Sequence, residues 1–335
     1  ILTGTNLYTG TTIVSAGLLQ YGANNALSSG AVTVNDGGIY DLNNFSDAIG
    51  ALTVNSGTTG GSVTTGTGTL TLGGNVSSTG GAANASISGN LALGATRTFT
   101  ITNSADGLTV SAVISGATFG VTKAGSGTLT LSGVNTYTGI TTISAGVLSV
   151  STIENGGVAG NIGQATNAAA NLVFGTGRLL YTGSTASTDR NFTINNGTTI
   201  TIDISNSGTN MSMSGASTST SGSMIKAGNG SLIMSGASQY TGSTTISAGA
   251  LIVGANVAVS TNGPLGNAAS AIVLGNSSTA ANNSSPSLLT GGAFTISRTI
   301  TVDNQATTGK YSVGGNTDNN STFSGLISFS QPFTI

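Results

Sequence analysis

Hydrophobic and polar residues alternate in short stretches along most of this chain. Such runs occupy residues 69–72, 98–102, 128–131 and 199–204, and they are rich in Thr, Leu and Ile. A strict period of two, bounded by Gly and Asn, is typical of strands that bury one face. No stretch shows the period of a helix. The pattern therefore predicts an all-β protein made of many short strands.

A long motif occurs three times, at residues 2–19, 131–148 and 234–251. The residues that its copies share include a tyrosine and two glycines, at Tyr8, Tyr137 and Tyr240; Gly10, Gly139 and Gly242; and Gly17, Gly146 and Gly249. Self-similarity on this scale predicts a repeat architecture, in which each unit buries its apolar face only by stacking on neighbours. The copies are unequally spaced, which predicts insertions within a common plan.

Most of the basic residues mark two further landmarks of the repeat. Arg97, Arg190 and Arg298 each begin an alternating stretch, and Lys123 and Lys226 each begin a Lys-Ala-Gly-x-Gly turn. Arg178 and Lys310 fall outside this register. We expect one array over residues 1–335, with approximate units 1–125, 126–228 and 229–335.

Both ends of the chain interrupt the repeat. The motif is already under way at Ile1, and residues 333–335 are similar to residues 119–122, the stretch that leads into Lys123. We therefore expect this chain to be an internal slice of a longer repeat protein.

The motif has a recognisable consensus, Gly-x-Gly-Thr-Leu-x-Leu-Ser-Gly-x-Asn-x-Tyr-Thr-Gly-x-Thr-Thr-Ile-x-Ala-Gly-x-Leu. It is best matched at residues 125–148 and 228–251, and its later part at residues 2–19. This consensus resembles the autotransporter-associated β-strand repeat, also called the passenger-associated transport repeat. The resemblance implies a right-handed parallel β-helix in the passenger of a secreted bacterial surface protein. It also implies a Gram-negative-type outer membrane, whose anchor we expect outside this chain.

Stacking of coils gives the array its expected geometry. Neighbouring strands lie ~4.8 Å apart, and inward positions alternate with outward ones. We expect Leu129, Leu131, Ile143 and Leu148 to point inward, with their Thr neighbours outward. With roughly 20 residues per coil, the chain would form about 16 coils and a rod of about 75–80 Å.

Composition narrows the possible functions. Charged residues make up 5% of the chain, the net charge is −2, and His and Cys are absent. A nucleic-acid interface lacks its basic footprint, and contact with a membrane is not expected. Thiolate metal sites and Ser-His or Cys-His nucleophiles are excluded. The carboxylates are scattered, with Glu154 the single Glu, so we expect no enzyme activity and no cofactor or metal.

The repeated polar residues admit two interpretations each. The tyrosines could grip glycan, but several coils separate them, so we favour one ring per unit that covers a turn and bonds through its hydroxyl. The arginines could bind an acidic sugar, but we favour guanidinium groups that hold loop carbonyls or a nearby carboxylate such as Asp189. Lys123 and Lys226 could cradle a phosphate, but the Gly-x-x-x-x-Gly-Lys order that this requires is absent.

Two weaker patterns have simpler explanations. Asp36, Asp41 and Asp47 are the densest acidic group, and residues 36–42 faintly resemble a calcium-binding nonapeptide, yet local Asx turns at Asn35 and Asp36 explain that pattern. Thr-x-Thr pairs, as at Thr98 and Thr100, could form an ice-binding array, but they occur at irregular intervals and a Thr-rich strand face accounts for them.

The sequence thus favours a structural role, as a stalk or extracellular fibre segment that supports display, adhesion or matrix formation. Its partners would be further repeats of the same chain or neighbouring copies. The alternative is an adhesin that binds surface glycan or a host surface through the β-helix flank, with insertions such as 57–67 or 151–170 clustered on one face. A polysaccharide-cleaving β-helix enzyme is a minor alternative, since it would need clustered carboxylates.

Overall fold

The computed structural model describes residues 1–81, 85–303, 308–317 and 320–329. They form two compact units, Ile1–Thr166 and Asn167–Ile335, each built of parallel strands stacked coil upon coil. The fold is therefore the all-β parallel β-helix that the alternation and the resemblance predict. The division into three motif-based units stays a prediction. Residues 333–335, whose sequence is similar to residues 119–122, lie outside the described residues.

Most strands of the first unit are short. In its described residues they are β1 Thr12–Val14, β2 Gly17–Gln20, β3 Val32–Val34, β4 Gly38–Asp41, β5 Asp47–Ile49, β6 Leu52–Val54, β7 Ser62–Leu72, β8 Val76–Ser78, β9 Ala85–Leu93, β10 Arg97–Ile101, β11 Gly107–Val110, β12 Val113–Ser115, β13 Val121–Ala124, β14 Thr128–Leu131, β15 Thr141–Ile143 and β16 Val147–Val150. One sheet of this unit has the order β1-β3-β6-β8-β10-β13-β15. The other has the order β2-β4-β7-β9-β11-β14-β16, with β5 beside β7 and β12 beside β9.

In its described residues, the second unit contains strands, one short α-helix and one 3₁₀ turn. Its described elements are the 3₁₀ turn Ala169–Asn171, β17 Leu172–Phe174, β18 Arg178–Tyr181, β19 Ala186–Thr188, β20 Thr193–Ile194, β21 Thr199–Ile204, β22 Asn210–Met213, β23 Ser223–Ala227, β24 Ser231–Met234, β25 Thr244–Ile246, β26 Ala250–Val253, β27 Ile272–Leu274, α1 Ser277–Asn282, β28 Ser287–Thr290, β29 Thr295–Ile296, β30 Ile300–Val302, β31 Ser312–Gly315, β32 Thr322–Phe323 and β33 Ile327–Phe329. The longer sheets run β18-β21-β23-β25-β27-β30-β33 and β19-β22-β24-β26-β28-β31. The pairs β17-β20 and β29-β32 complete the coils.

Side chains along these strands sort by the predicted period of two. Leu129, Leu131, Ile143 and Leu148 are fully buried, as expected. Identical positions stack between coils, for example Leu129 beside Leu148 in parallel register. Each coil therefore covers the apolar face of the next, which a single coil of short strands cannot do for itself.

Most coils contain more than the roughly 20 residues that the sequence led us to expect. Hydrogen bonds between adjacent coils join residues 19 apart at Tyr21 and Tyr40, but 28 apart at Arg298 and Ser270. The described residues consequently make about 13 turns, and the expected 16 was wrong. Loops inserted between the strands account for the difference, because they lengthen a coil without adding one.

Two elements depart from the sequence-based expectations. Residues 57–67 are not one insertion, since β7 starts at Ser62 and continues for 11 residues with an irregular register between Thr64 and Thr69. Helix α1 was not predicted. It begins at a capping box in which the Asn276 side chain and Thr279 bond each other's backbone amides, a local signal that overrides the surrounding strand pattern.

Candidate functional site

The two motif lysines are buried inside the coils. Each occupies an inward-facing position of its strand, and neither side chain is exposed to solvent. Lys123 Nζ donates to the carbonyl oxygens of Ala124, Gly125 and Ala145 at 2.7, 2.8 and 3.1 Å. In the second unit, Lys226 Nζ bonds the equivalent carbonyls at 2.6, 2.9 and 3.1 Å. We call each such arrangement a lysine cage.

A lysine cage ties two coils together and occupies the ammonium group completely. Two of its carbonyls belong to the turn that follows the lysine, and the third, Ala145 or Ala248, belongs to the next coil. Three N–H donors meet three acceptors, so no proton is left for a ligand. Burial lowers the pKa of Lys123 to about 8 and that of Lys226 to about 7, the latter against the opposing attraction of Asp203.

The second motif glycine closes the cage. Gly146 has a φ of +64°, and a Cβ there would lie 2.7 Å from Lys123 Nζ and 2.3 Å from Gly125 O. Gly249 has a φ of +61° and is equally confined, whereas Gly17 in the first copy borders open space. A glycine is needed at the two cages because a side chain would displace the ammonium or the carbonyl that it bonds.

The motif tyrosines bond through their hydroxyls to a threonine four residues later. Tyr137 and Tyr240 are fully buried, and their hydroxyls lie 2.8 Å from Thr141 Oγ1 and Thr244 Oγ1. Burial raises the pKa of Tyr240 to about 12. Tyr8 bonds Thr12 at 2.6 Å in the same manner but is 46% exposed.

A loop from the following coil covers each buried tyrosine. Gln164 N donates to Tyr137 O at 2.7 Å, and Asn267 N donates to Tyr240 O at 2.8 Å. Ahead of these residues, Gly163 and Gly266 pass directly over the rings. Each ring is thus enclosed by protein and cannot serve as a platform for glycan.

Two arginines of the register, Arg97 and Arg298, also bond backbone carbonyls. The Arg298 guanidinium is fully buried and donates to Leu265 O at 2.6 Å and to Ser270 O through two nitrogens. Burial lowers the pKa of Arg298. Arg97 Nε donates to Leu72 O at 3.0 Å, and Arg190 is 2% exposed.

The first motif glycine has a packing role in two copies. A Cβ at Gly139 would lie 2.3 Å from Phe119 C, and one at Gly242 would lie 2.1 Å from Gly222 O. Gly10 has nothing within 4 Å. The preceding coil therefore leaves no room for a side chain at the two inner copies.

The three clustered aspartates have separate partners. The Asp36 carboxylate accepts from the amides of Thr58, Thr59 and Gly60 in the next coil, and these bonds, strongest from Thr59, lower its pKa. Asp41 accepts from Gln20 and, in an Asx turn, from the amide of Asn43. The Asx turn expected at Asp36 was therefore wrong, because its carboxylate bonds across coils, and the Asn35 side chain likewise accepts across coils from Asn55 Nδ2 at 2.9 Å. The Asx turn at Asp41 was not predicted.

Asp47 belongs to a buried network of hydroxyls. It accepts from Tyr21 Oη at 2.5 Å and from Leu27 N at 3.0 Å, and the Tyr21 and Tyr40 hydroxyls lie 2.6 Å apart. Burial raises the pKa of both tyrosines. Within the part of the chain that the structure describes, no three acidic side chains are placed to hold a metal ion together.

A polar cleft on the second unit was missed by sequence reasoning. Its volume is about 590 Å³, and its lining includes Arg178, Asp203, Asn276, Ser278, Asn282 and Ser284. Arg178 and Asp203 form an ion pair. In the sequence, only the position of Arg178 outside the register of the other basic residues pointed to this cleft. The remaining lining residues come from coils that are far apart in sequence.

The comparisons with known proteins agree on one family. The model of the passenger-associated-transport-repeat matches residues 1–20, 121–150 and 224–253, which include both lysine cages and all three motif tyrosines. The chain is also similar to the adhesin BmaC autotransporter of Brucella suis biovar 1 (strain 1330), with 35% identity over 240 residues. The match covers 70% of this chain and 6% of that relative. No solved structure matches.

Among the described residues, no helix has both the length and the apolar character needed to cross a membrane.

Proposed function

Since the chain belongs to the passenger-repeat autotransporter proteins, we propose that it is a structural segment of a secreted surface passenger. In this proposal it forms part of a stalk or extracellular fibre that supports display, adhesion or matrix formation. It lies outside the cell or at a Gram-negative-type surface. We assign no reaction to it.

One observation carries this proposal: the motif side chains bond their own coils. Lys226 gives all three protons to backbone carbonyls of two coils, and Arg298 and Tyr240 are equally enclosed. A motif selected for a ligand would leave polar groups free at the surface. A motif that serves to extend the array would direct its polar groups at neighbouring coils, as this motif does.

The distribution of contacts supports the same role. Strands pair with strands of the adjacent coil, as β24 with β26 and β26 with β28. Nearest-neighbour stacking of this kind lets a chain fold coil by coil and add length without new long-range contacts. The partners are then further repeats or neighbouring copies of the chain.

Display at a cell surface tests the structural proposal. The chain is placed between a heterologous surface anchor and a terminal epitope, in three lengths: native, lacking residues 124–226, and carrying that segment twice. Every junction then keeps the native Lys-Ala step of Lys123 and Lys226. On encapsulated cells, antibody binding to the epitope should rise with length. Equal binding at all three lengths, with equal surface expression, would overturn the proposal.

Adhesion through the flank is the second candidate function, because the relative is named an adhesin. Purified chain would then compete with displaying cells for binding to epithelial monolayers. A dose-dependent loss of adhesion supports the adhesin, and adhesion that is insensitive to the purified chain contradicts it.

A further inference from the structure

The polar cleft of the second unit is walled by two kinds of structure. Its floor is the flank of the strands that carry Arg178, Thr201 and Asp203. Its side wall is the insertion between β27 and β28, which contributes Asn276, Ser278, Asn282 and Ser284. The volume of about 590 Å³ lies within the range of small-molecule sites.

The floor of the cleft contains an acceptor without a donor. The Asp203 side chain is 5% exposed, and one of its carboxylate oxygens bonds Arg178. The other oxygen, Oδ1, is buried and has no hydrogen-bond partner. A buried carboxylate oxygen left unsatisfied is costly, so a ligand that brings a hydroxyl donor to it gains binding energy.

The ion pair can open toward a ligand. The Arg178 side chain is 45% exposed, whereas Asp203 is held in β21 beneath it. Movement of the Arg178 side chain loses few packing contacts and gives a ligand access to the Asp203 carboxylate. A carboxylate and a guanidinium side by side offer an acceptor and several donors to adjacent hydroxyls of one ligand.

The cleft is close to electrically neutral. Arg178 and Asp203 cancel, and Lys226 beneath it is enclosed in its cage. The remaining polar groups are side-chain amides and hydroxyls, of which Asn282 Nδ2 is occupied by Ser278 O at 2.9 Å. A phosphate or a polyanion would find no unpaired cation, and an apolar ligand would leave these groups unsatisfied.

We propose that this cleft binds a neutral, hydroxyl-rich saccharide, with Asp203 accepting from its hydroxyls and Arg178 and the insertion wall donating to it. This site does not depend on the length-building role, because the groups proposed to bind the saccharide, Arg178, Asp203 and the insertion wall, lie outside the repeated motif, although motif residues such as Ser247 and Ala248 also line the cleft.

Binding to purified chain tests the proposal. Neutral tri- and tetrasaccharides of glucose, galactose, mannose and N-acetylglucosamine are titrated by saturation-transfer NMR and calorimetry, with oligogalacturonate as the charged comparison. At least one neutral saccharide should bind. D203N should weaken it about tenfold or more, because the substituted amide can no longer accept through two charged oxygens.

A pair of helix variants keeps the test independent of folding. Ser278 and Ser277 are both exposed on α1, but only Ser278 lines the cleft. S278Y should fill the cleft and abolish binding, whereas S277Y should bind as the native chain does. The proposal fails if no neutral saccharide binds at about 10 mM, if oligogalacturonate binds better than all of them, or if the two tyrosine variants bind equally. None of these outcomes alters the display experiment.

Discussion

At the scale of single residues, the motif uses polar side chains as internal bonds between coils. Lys123 and Lys226 are the clearest cases, because a buried ammonium is tolerated only when its donors are matched. The carbonyls that match them come from two successive coils. The lysine therefore fixes the turn and the register of the next coil together.

The lysine cages predict how stability varies with pH. The unfolded Lys226 keeps its proton up to about pH 10.5, whereas the folded one releases it near pH 7, so the unfolded state binds more protons between these values. Stability should therefore rise from about pH 7 to about pH 9.5, before the buried tyrosines, whose pKa is raised, oppose it. The slope is at most about 1.4 kcal/mol per pH unit for each lysine.

Urea unfolding of K226M at several pH values checks this. The variant should show a smaller rise than the native chain, and K310M, at an exposed lysine, should show the native slope. Identical slopes for K226M and the native chain would show that titration of Lys226 does not cause the rise in stability with pH.

The tyrosine hydroxyls give a second residue-scale prediction. In Y137F, Thr141 Oγ1 still donates to Ile162 O but loses the hydroxyl that donates to it, inside the protein. The expected loss of stability is about 1–2 kcal/mol. Y8F should cost less than about 0.5 kcal/mol, since water reaches the half-exposed ring. Equal costs, measured by urea unfolding, would contradict the difference in burial.

At the scale of elements, strands were predictable and loops were not. The alternation that placed Leu129 and Leu131 inward is local, so the sequence alone reveals it. The three amides that bond Asp36 belong to the next coil, and no local pattern indicates which residues those are. The cleft residues likewise meet only through the register of long coils. Helix α1 begins at one capping box, a signal too short to be recognised in the sequence.

The loop over Tyr137 gives an element-scale prediction with an internal control. Gly157 and Gly163 lie in the same loop, with φ of +85° and +79°, but only Gly163 is crowded, its Cβ position being 2.6 Å from the ring of Tyr137. G157A should cost about 1 kcal/mol from backbone strain alone. G163A should cost at least about twice that, because the ring must also move. Thermal and urea unfolding of both variants decide it, and G163A no worse than G157A would show that the loop does not press on the ring.

At the scale of the whole molecule, stability is expected to be local. Strand β26 contacts β24 and β28, so removal of a core side chain from it affects those coils first. L251A should destabilise its neighbourhood by about 2–5 kcal/mol, because Leu251 is fully buried. Hydrogen exchange read by mass spectrometry should speed up in β24, β26 and β28 and stay native in the first unit. L18A, at an exposed leucine, serves as the control. A uniform increase along the chain would mean that the coils unfold as one.

The burial of the basic residues has a consequence for survival outside the cell. Lys and Arg number 7 in 335 residues, and Lys123, Arg190, Lys226 and Arg298 are at most 2% exposed. Secreted trypsin-like proteases cut after basic residues on accessible, extended backbone. The side chains that bond one coil to the next are thus the same ones that such proteases need, and the folded chain withholds them. Cleavage at these four positions therefore requires the coils to separate, whereas the side chains of Arg178 and Lys310 stay accessible in the folded chain.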